Sequence, residues 1–225
     1  MQLEPVAILG GTGPQGRGLA LRLARAGCTV TIGSRDASRA AEAAAALGTG
    51  PGLAIAGAGN PEAATAAGVV FVAVPWDAHE PTLRSLVPEL GGRVVVDMVN
   101  PLEFDPRGPV GLAVAEGSAA EQAQAILPDS VVVSGFHHVS ARVLLDEGQP
   151  VDTDVMICGD HAQAKQRVLD LADLIPGVRS LDVGPLRLSV HLEGMTSVLL
   201  SVNRRYRATA GVRLSGVDRS RARPG

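Results

Sequence analysis

Val6-Ala7-Ile8-Leu9-Gly10-Gly11-Thr12-Gly13-Pro14-Gln15-Gly16 decides the fold. A short apolar run ends in a glycine-dense turn, and an amphipathic run carrying Leu19, Leu21, Leu23 and Ala24 follows at once. Gly11, Gly13 and Gly16 hold the spacing of a dinucleotide fingerprint. The first glycine permits a tight turn, the second lets the backbone approach a pyrophosphate, and the third lets the helix pack against its strand. Phosphate then meets free N–H groups at a helix N-terminus, where the helix dipole favours negative charge. The context the motif requires, strand before and helix after, is present.

The next strand, Thr29-Val30-Thr31-Ile32, says which nucleotide. A site for NAD usually places Asp or Glu at the end of that strand, on the ribose 2′-hydroxyl. This chain has Gly33-Ser34-Arg35 there, with Arg39 four residues on. A hydroxyl and a guanidinium fork suit a 2′-phosphate that a carboxylate would repel. Asp36 is the competing acid, but it precedes Ala37-Ser38-Arg39 and reads as a helix N-cap. The reading is NADP.

Strands and helices alternate along the chain, which predicts an α/β fold, a doubly wound parallel sheet of Rossmann type covered on both faces. Later strands are expected near Leu53–Ala56, Val69–Val74, Val94–Val96, Val131–Val133, Val155–Cys158 and Leu181–Val183. Helices are expected over Ser38–Leu47, from Asn60, from the capping box at Ser118 to about Leu127, and after Asp160 as a cap. Pro101 to Pro109 reads as a loop. Leu188, Leu192, Met195, Leu199, Val202 and Tyr206 form one stripe of a long helix with heptad-like spacing. That stripe suits a subunit interface or packing on its own domain, and a long, thin stripe favours the dimer.

At 225 residues the chain is one large domain, or one domain with a small appendage. Hydrophobic residues are 46% but aromatics only 2%, so the core is built from Val, Leu, Ile and Ala. A net charge of -3 argues against a nucleic-acid partner attracted by bulk charge. Neither a signal peptide nor a run of membrane-spanning length is read, and Cys28 and Cys158 suit free thiols in a reducing cytoplasm.

Ligands of such sheets bind beyond the C-terminal ends of the strands. The candidates are therefore Pro75-Trp76-Asp77, Asp97-Met98-Val99-Asn100-Pro101 and Ser134 to Ala141. Trp76 suits either a lid on the core edge or a wall for a flat ring. His137 and His138 are adjacent and, as a strand-like pair, point to opposite sides, so at most one of them is expected to face the site. Nothing joins them at metal-ligand spacing, so no metal is expected. A Tyr-x-x-x-Lys pair is absent, since Tyr206 has Ala210 four residues on. Lys165, the only lysine, reads as part of a solvated helix face. A chain that holds NADP but lacks machinery to protonate an alkoxide suits a hydride partner that is itself a cofactor.

Gly10 to Ala20, Gly33-Ser34-Arg35, Val74-Pro75-Trp76, Cys158-Gly159-Asp160 and Leu181 to Leu186 together resemble the F420-dependent NADP reductases, in order along nearly the whole chain. The resemblance implies reversible hydride transfer between nicotinamide C4 of NADPH and C5 of the deazaflavin coenzyme F420, in a homodimer built through the C-terminal helix. It implies a Rossmann domain over 1–140 and a smaller, mainly helical C-terminal domain for substrate and dimerisation over 141–217; the residues from Asp218 onward are polar and read as a disordered tail over 218–225. By position, Gly11, Thr12, Gly13, Pro14 and Gln15 would hold the pyrophosphate, and Ser34, Arg35 and Arg39 the 2′-phosphate. Val74, Asn100 and Ala141 would lie along the nicotinamide half, and His137, Val139 and Trp76 around the deazaflavin. The chain departs from the family pattern at Asp97–Pro101, which replaces a more apolar turn, and at His138-Val139-Ser140, which replaces Thr-Ile-Pro. The competing functions are an NADP-dependent reductase of another carbonyl or imine, and a non-catalytic NADP sensor.

Overall fold

The structure, a computed structural model, describes residues 3–48 and 53–221. Among the described residues ten strands follow one another as β1 (Val6–Leu9), β2 (Thr29–Ser34), β3 (Ala54–Gly59), β4 (Val69–Val72), β5 (Val94–Asp97), β6 (Leu102–Asp105), β7 (Gly108–Gly111), β8 (Val131–Ser134), β9 (Thr153–Gly159) and β10 (Val178–Gly184). The helices are α1 (Pro14–Arg25), α2 (Ala37–Ala46), α3 (Asn60–Thr65), α4 (Trp76–Arg84), α5 (Val87–Leu90), α6 (Ala119–Ile126), α7 (Ala141–Leu145), α8 (Ala162–Asp173) and α9 (Ser189–Tyr206).

Eight strands form one sheet in the order β10-β9-β8-β5-β4-β1-β2-β3. Strands β1 and β4 are buried on both faces because neither carries a polar residue. Their side chains alternate: Val6, Ile8, Val69 and Phe71 enter the core layer with α1, while Ala7, Leu9, Val70 and Val72 enter the opposite layer. The doubly wound α/β architecture is as the alternation predicts. One pairing departs from it, since β8 and β9 run antiparallel while β9 and β10 are parallel. The part after residue 141 is mainly helical, but its two strands extend the sheet of the first part rather than making a sheet of their own.

Other local expectations are corrected. Pro101 to Pro109 is not a loop: β6 and β7 form an antiparallel hairpin. Asp105 Oδ1 accepts from the N–H groups of Arg107 (2.7 Å) and Gly108 (2.9 Å) and so closes its turn. Helix α8 is capped by His161, whose ring accepts from Ala164 N; Asp160 instead accepts from Leu186 N at 3.0 Å. Lys165 is buried rather than solvated, and its Nζ lies 2.9 Å from Asp182 Oδ1 on β10. Of the tail expected to be disordered, residues 218–221 are described, and Arg219 pairs with Asp173 at 2.5 Å. Residues 222–225 lie outside the described residues.

Helix α7 is held against α1 by a buried charge. Arg22 donates to the carbonyls of Leu144 (2.8 Å), Val143 (2.9 Å) and Gln149 (3.0 Å), and to that of Asp146. The guanidinium thus satisfies backbone acceptors that the short α7 and its following turn leave open. Arg22→Met should keep the stem and leave those acceptors without a donor. We expect a loss of about 2–4 kcal/mol in denaturant unfolding, larger than a surface arginine would cost.

Candidate functional site

The strand order reverses between β1 and β4, and a crevice opens at their C-terminal ends. Its first half is a cleft of about 390 Å³ bounded by the glycine turn, the end of β2 and the start of α4. Gly10 turns the chain with φ +69°. A Cβ at Gly16 would lie 2.5 Å from Gly11 Cα, so the start of α1 meets the end of β1 only because both positions lack a side chain. A Cβ at Gly13 would meet nothing nearer than 3.7 Å, which leaves that backbone open to a ligand. Helix α1 has no side-chain cap and no acid in its first turn. In contrast, α2 and α6 are capped by Asp36 and Ser118.

Gly11 is buried, and Thr12, Gly13, Pro14 and Gln15 line this cleft. Ser34, Arg35 and Arg39 stand at its far end. Among the described residues neither arginine makes an ion pair, so both guanidinium groups keep their donors. Asp36 does what a cap does: its Oδ1 accepts from Ser38 N at 2.9 Å and Ser38 Oγ at 2.6 Å. Asn60, at the start of α3, also lines the cleft, and its buried Oδ1 has no partner.

The second half is a cleft of about 380 Å³ that shares Gln15, Ala73, Val74 and Pro75 with the first. Trp76 flanks one side, Met98 to Asn100 another, and His137 to Ala141 a third; α9 contributes Thr196, Leu199 and Asn203. Phe136 adopts φ +65°, so the chain turns before the histidine pair instead of continuing β8. Both histidines therefore contribute to the lining of the cleft, where at most one was expected. His137 Nε2 lies 2.7 Å from Ser134 Oγ, and His138 Nε2 donates to the Asp154 carbonyl at 2.7 Å. Their Nδ1 atoms are buried without a well-formed hydrogen bond, that of His137 beside the Met98–Val99 backbone. Burial pushes His137 down to about 4, against the opposing pull of Asp97, so the ring is neutral at pH 7. The His137 carbonyl is clamped by Asn100 Nδ2 (3.1 Å) and Thr196 Oγ1 (2.9 Å), which fixes this turn to β5 and α9.

Behind this cleft lies a buried polar layer. His79 Nε2 is 2.6 Å from Asp97 Oδ2, and its Nδ1 is 3.1 Å from Gln122 Oε1. The other oxygen of Asp97 accepts from Val99 N at 3.0 Å. Glu193 of α9 accepts from Ala119 N (3.0 Å) and Ala120 N (3.3 Å) at the start of α6. Burial pushes Glu193 up to about 7, although those two N–H groups favour its charge.

Ten of the eleven residues expected on the dinucleotide side, and all three expected on the second ring, line these two joined clefts; Gly11 is buried and lines neither. The sequence reading missed Asn60 and the α9 residues. Thr196, Leu199 and Asn203 are spaced three and four apart, a helical face on which two polar residues bracket the apolar stripe. The stripe itself splits. Leu192 is buried against Met156 and Cys158, Leu199 faces the cleft, and Tyr206 is 71% exposed. His79 was also missed, although it stands three residues after Trp76 on α4 and so shares its face.

Similarity to known proteins agrees with this geometry. The sequence model of the family described as NADP oxidoreductase, coenzyme F420-dependent, matches residues 5–101. The F420-dependent NADP reductase of Methanocaldococcus jannaschii is 38% identical over 221 residues, 95% of this chain and 99% of that protein. That of Methanothermobacter marburgensis is 40% identical over 220 residues, 94% of this chain and 98% of its own length. A structure from Arthrobacter sp. FB24, a candidate F420-dependent NADP-reductase, superposes with a TM-score of 0.76 at 27% identity, covering 92% of this chain and 96% of that one. Full-length identity at this level, on a sheet whose crevice carries the expected glycine turn, places the chain in the F420-dependent NADP reductase family.

Proposed function

We propose that the chain catalyses reversible hydride transfer between NADPH and coenzyme F420, as an NADPH-dependent F420 reductase. The observation that carries the reading is the continuity of the two clefts through Gln15, Ala73, Val74 and Pro75. A dinucleotide reaching from Arg35 to Val74 ends where a second flat ring has room. The residues fit both groups. The uncapped start of α1 suits a pyrophosphate, the partnerless Oδ1 of Asn60 suits a ribose or amine donor, and the Nδ1 atoms of His137 and His138, which lack a well-formed hydrogen bond, suit a ring with polar edges.

The two coenzymes supply the hydride donor and acceptor, and the protein supplies alignment. Thr12, Gly13 and Gln15 hold the pyrophosphate through the α1 N-terminus, and Ser34, Arg35 and Arg39 hold the 2′-phosphate. Val74, Asn100 and Ala141 bound the nicotinamide half. His137, Val139 and Trp76 bound the deazaflavin. His137 is neutral, so it orients and hydrogen-bonds rather than serving as a standing acid. Bringing two rings into contact and excluding water is the kind of assistance that alignment alone provides.

The dimer and the compartment belong to the same proposal. Helix α9 packs beside β7, and these elements with β6 carry exposed apolar side chains: Val198 (60%), Tyr206 (71%) and Phe104 (74%). A second copy would cover them. Cys28 and Cys158 are free and buried, which suits a reducing cytoplasm. Among the described residues no helix is long and apolar enough to cross a membrane.

Purified protein given NADPH and F420 should bleach the deazaflavin absorbance, and no turnover would overturn the reading. Arg35→Ala should weaken NADPH binding by about 1.5–3 kcal/mol in a titration, typical of a charged hydrogen bond, while NADH binding changes little. With C4-deuterated NADPH of the transferred face, deuterium should arrive at C5 of the deazaflavin in a single turnover. His137→Ala should lower kcat about tenfold or less and raise KM for F420, whereas loss of a general acid would cost about 10²–10⁴-fold. Val198→Arg should shift the solution mass to the monomer with the NADPH site intact; an unchanged dimer would move the interface elsewhere.

A further inference from the structure

We propose that His79 is a positioning residue, held as a buried imidazolium stacked on Trp76, and that this cation fixes two walls of the ring cleft at once. The inference rests on the reading of that cleft as the deazaflavin site only where kinetics are concerned; the charge and the stacking stand on geometry alone.

Trp76 and His79 lie three residues apart on α4, with ring centroids 5.5 Å apart and planes inclined by 27°. His79 is fully buried, and both ring nitrogens meet oxygen atoms: Asp97 Oδ2 at 2.6 Å and Gln122 Oε1 at 3.1 Å. The orientation of the Gln122 amide is fixed from its other end, because its Nε2 donates to Glu116 Oε2 at 3.3 Å. Turning the amide over would set its oxygen against that carboxylate. With Asp97 as the carboxylate that Val99 N–H favours, two acceptors face one imidazole and call for two donors, and only the protonated ring has two.

The surroundings agree. From β5 comes Asp97; from α6 Gln122, with Glu116 behind it; from α9 Glu193. On α4 itself, Asp77 and Glu80 are exposed. Burial works against the charge, but the field of Asp97 and the hydrogen bonds to Asp97 and Gln122 outweigh it and leave His79 raised above its ordinary value. A cation stacked on an indole is attracted by the ring's negative face. Meanwhile the second oxygen of Asp97 holds Val99 N, so the same ion pair sets the Met98–Asn100 turn on another side of the cleft. Removing the charge would loosen Trp76 and that turn together.

Trp76 is the only tryptophan, so its emission reports on this one contact. Imidazolium quenches indole emission more strongly than a neutral ring or an amide. At pH 7, His79→Gln should be about twofold brighter than the unaltered protein, since the stacked cation is gone. The unaltered protein should brighten only on the alkaline side of 6.5, as His79 loses its proton. That rise should persist in Glu193→Gln, which removes the neighbouring titration, and should move to lower pH in Gln122→Leu, which removes one acceptor. The Gln122→Leu arm keeps the test standing if His79→Gln fails to fold. In turnover, His79→Gln should raise KM for F420 by about three- to tenfold with kcat less affected and the NADPH dissociation constant unchanged, as expected of misplaced walls. Equal emission in His79→Gln and the unaltered protein, or no shift in Gln122→Leu, would overturn the imidazolium. A brighter His79→Gln protein with unchanged KM would overturn the positioning role. An unaltered protein inactive toward F420 would overturn the functional reading and leave the emission results to decide the charge.

Discussion

The whole site depends on how closely the start of α1 approaches the end of β1. At Gly11 and Gly16 the two backbones touch where any Cβ would collide. That contact aims uncapped N–H groups into the crevice at the point where the strand order reverses. From there the layout is constrained by topology. The next strand outward on one side, β2, brings Ser34 and Arg35 to the cleft, and on the other side β4, β5 and β8 bring Val74, Asn100 and the histidine turn. One local packing requirement thus sets the direction in which every later loop has to reach.

What the sequence could show follows from how local each signal is. The glycine turn, the missing acid after β2 and the Asp36 cap are complete within a few residues, and each is found as read. The direction of β9 was not legible, because nothing in Thr153–Gly159 distinguishes parallel from antiparallel pairing with a strand some twenty residues earlier. Lys165 looked solvated because its partner Asp182 is on another element. The cap of α8 had two adjacent candidates, and Asp160 was taken by Leu186 N, 26 residues on. The histidine pair was misjudged for a backbone reason: the left-handed conformation at Phe136 breaks the strand-like alternation on which the reading relied.

The buried polar layer behind the ring cleft was invisible for the same reason on a larger scale. His79, Asp97, Gln122 and Glu193 come from four elements spread over more than a hundred residues. Each alone reads as an ordinary polar position. Together they place carboxylates and an imidazole where the resemblance expects a more apolar turn, at Asp97–Pro101. The departure from the family pattern noted in the sequence is therefore structurally coherent: the acid at the end of β5 has a buried partner and does not stand alone.

Helix α9 is anchored at both ends. Near its start, Glu193 is gripped by the first turn of α6. Past its end the chain returns to the sheet, where Asp154 of β9 receives Arg213 Nη1 at 2.8 Å, Leu214 N at 2.7 Å and the guanidinium of Arg179. These partners hold the Asp154 carboxyl well below the usual carboxylate range. The helix that borders the ring cleft therefore behaves as a beam clamped at both supports rather than as a flap hinged at one. This border of the crevice is held in part by Arg213 and Leu214, which line neither cleft. A chain ended at Tyr206 would keep nearly every lining side chain and lose the far support.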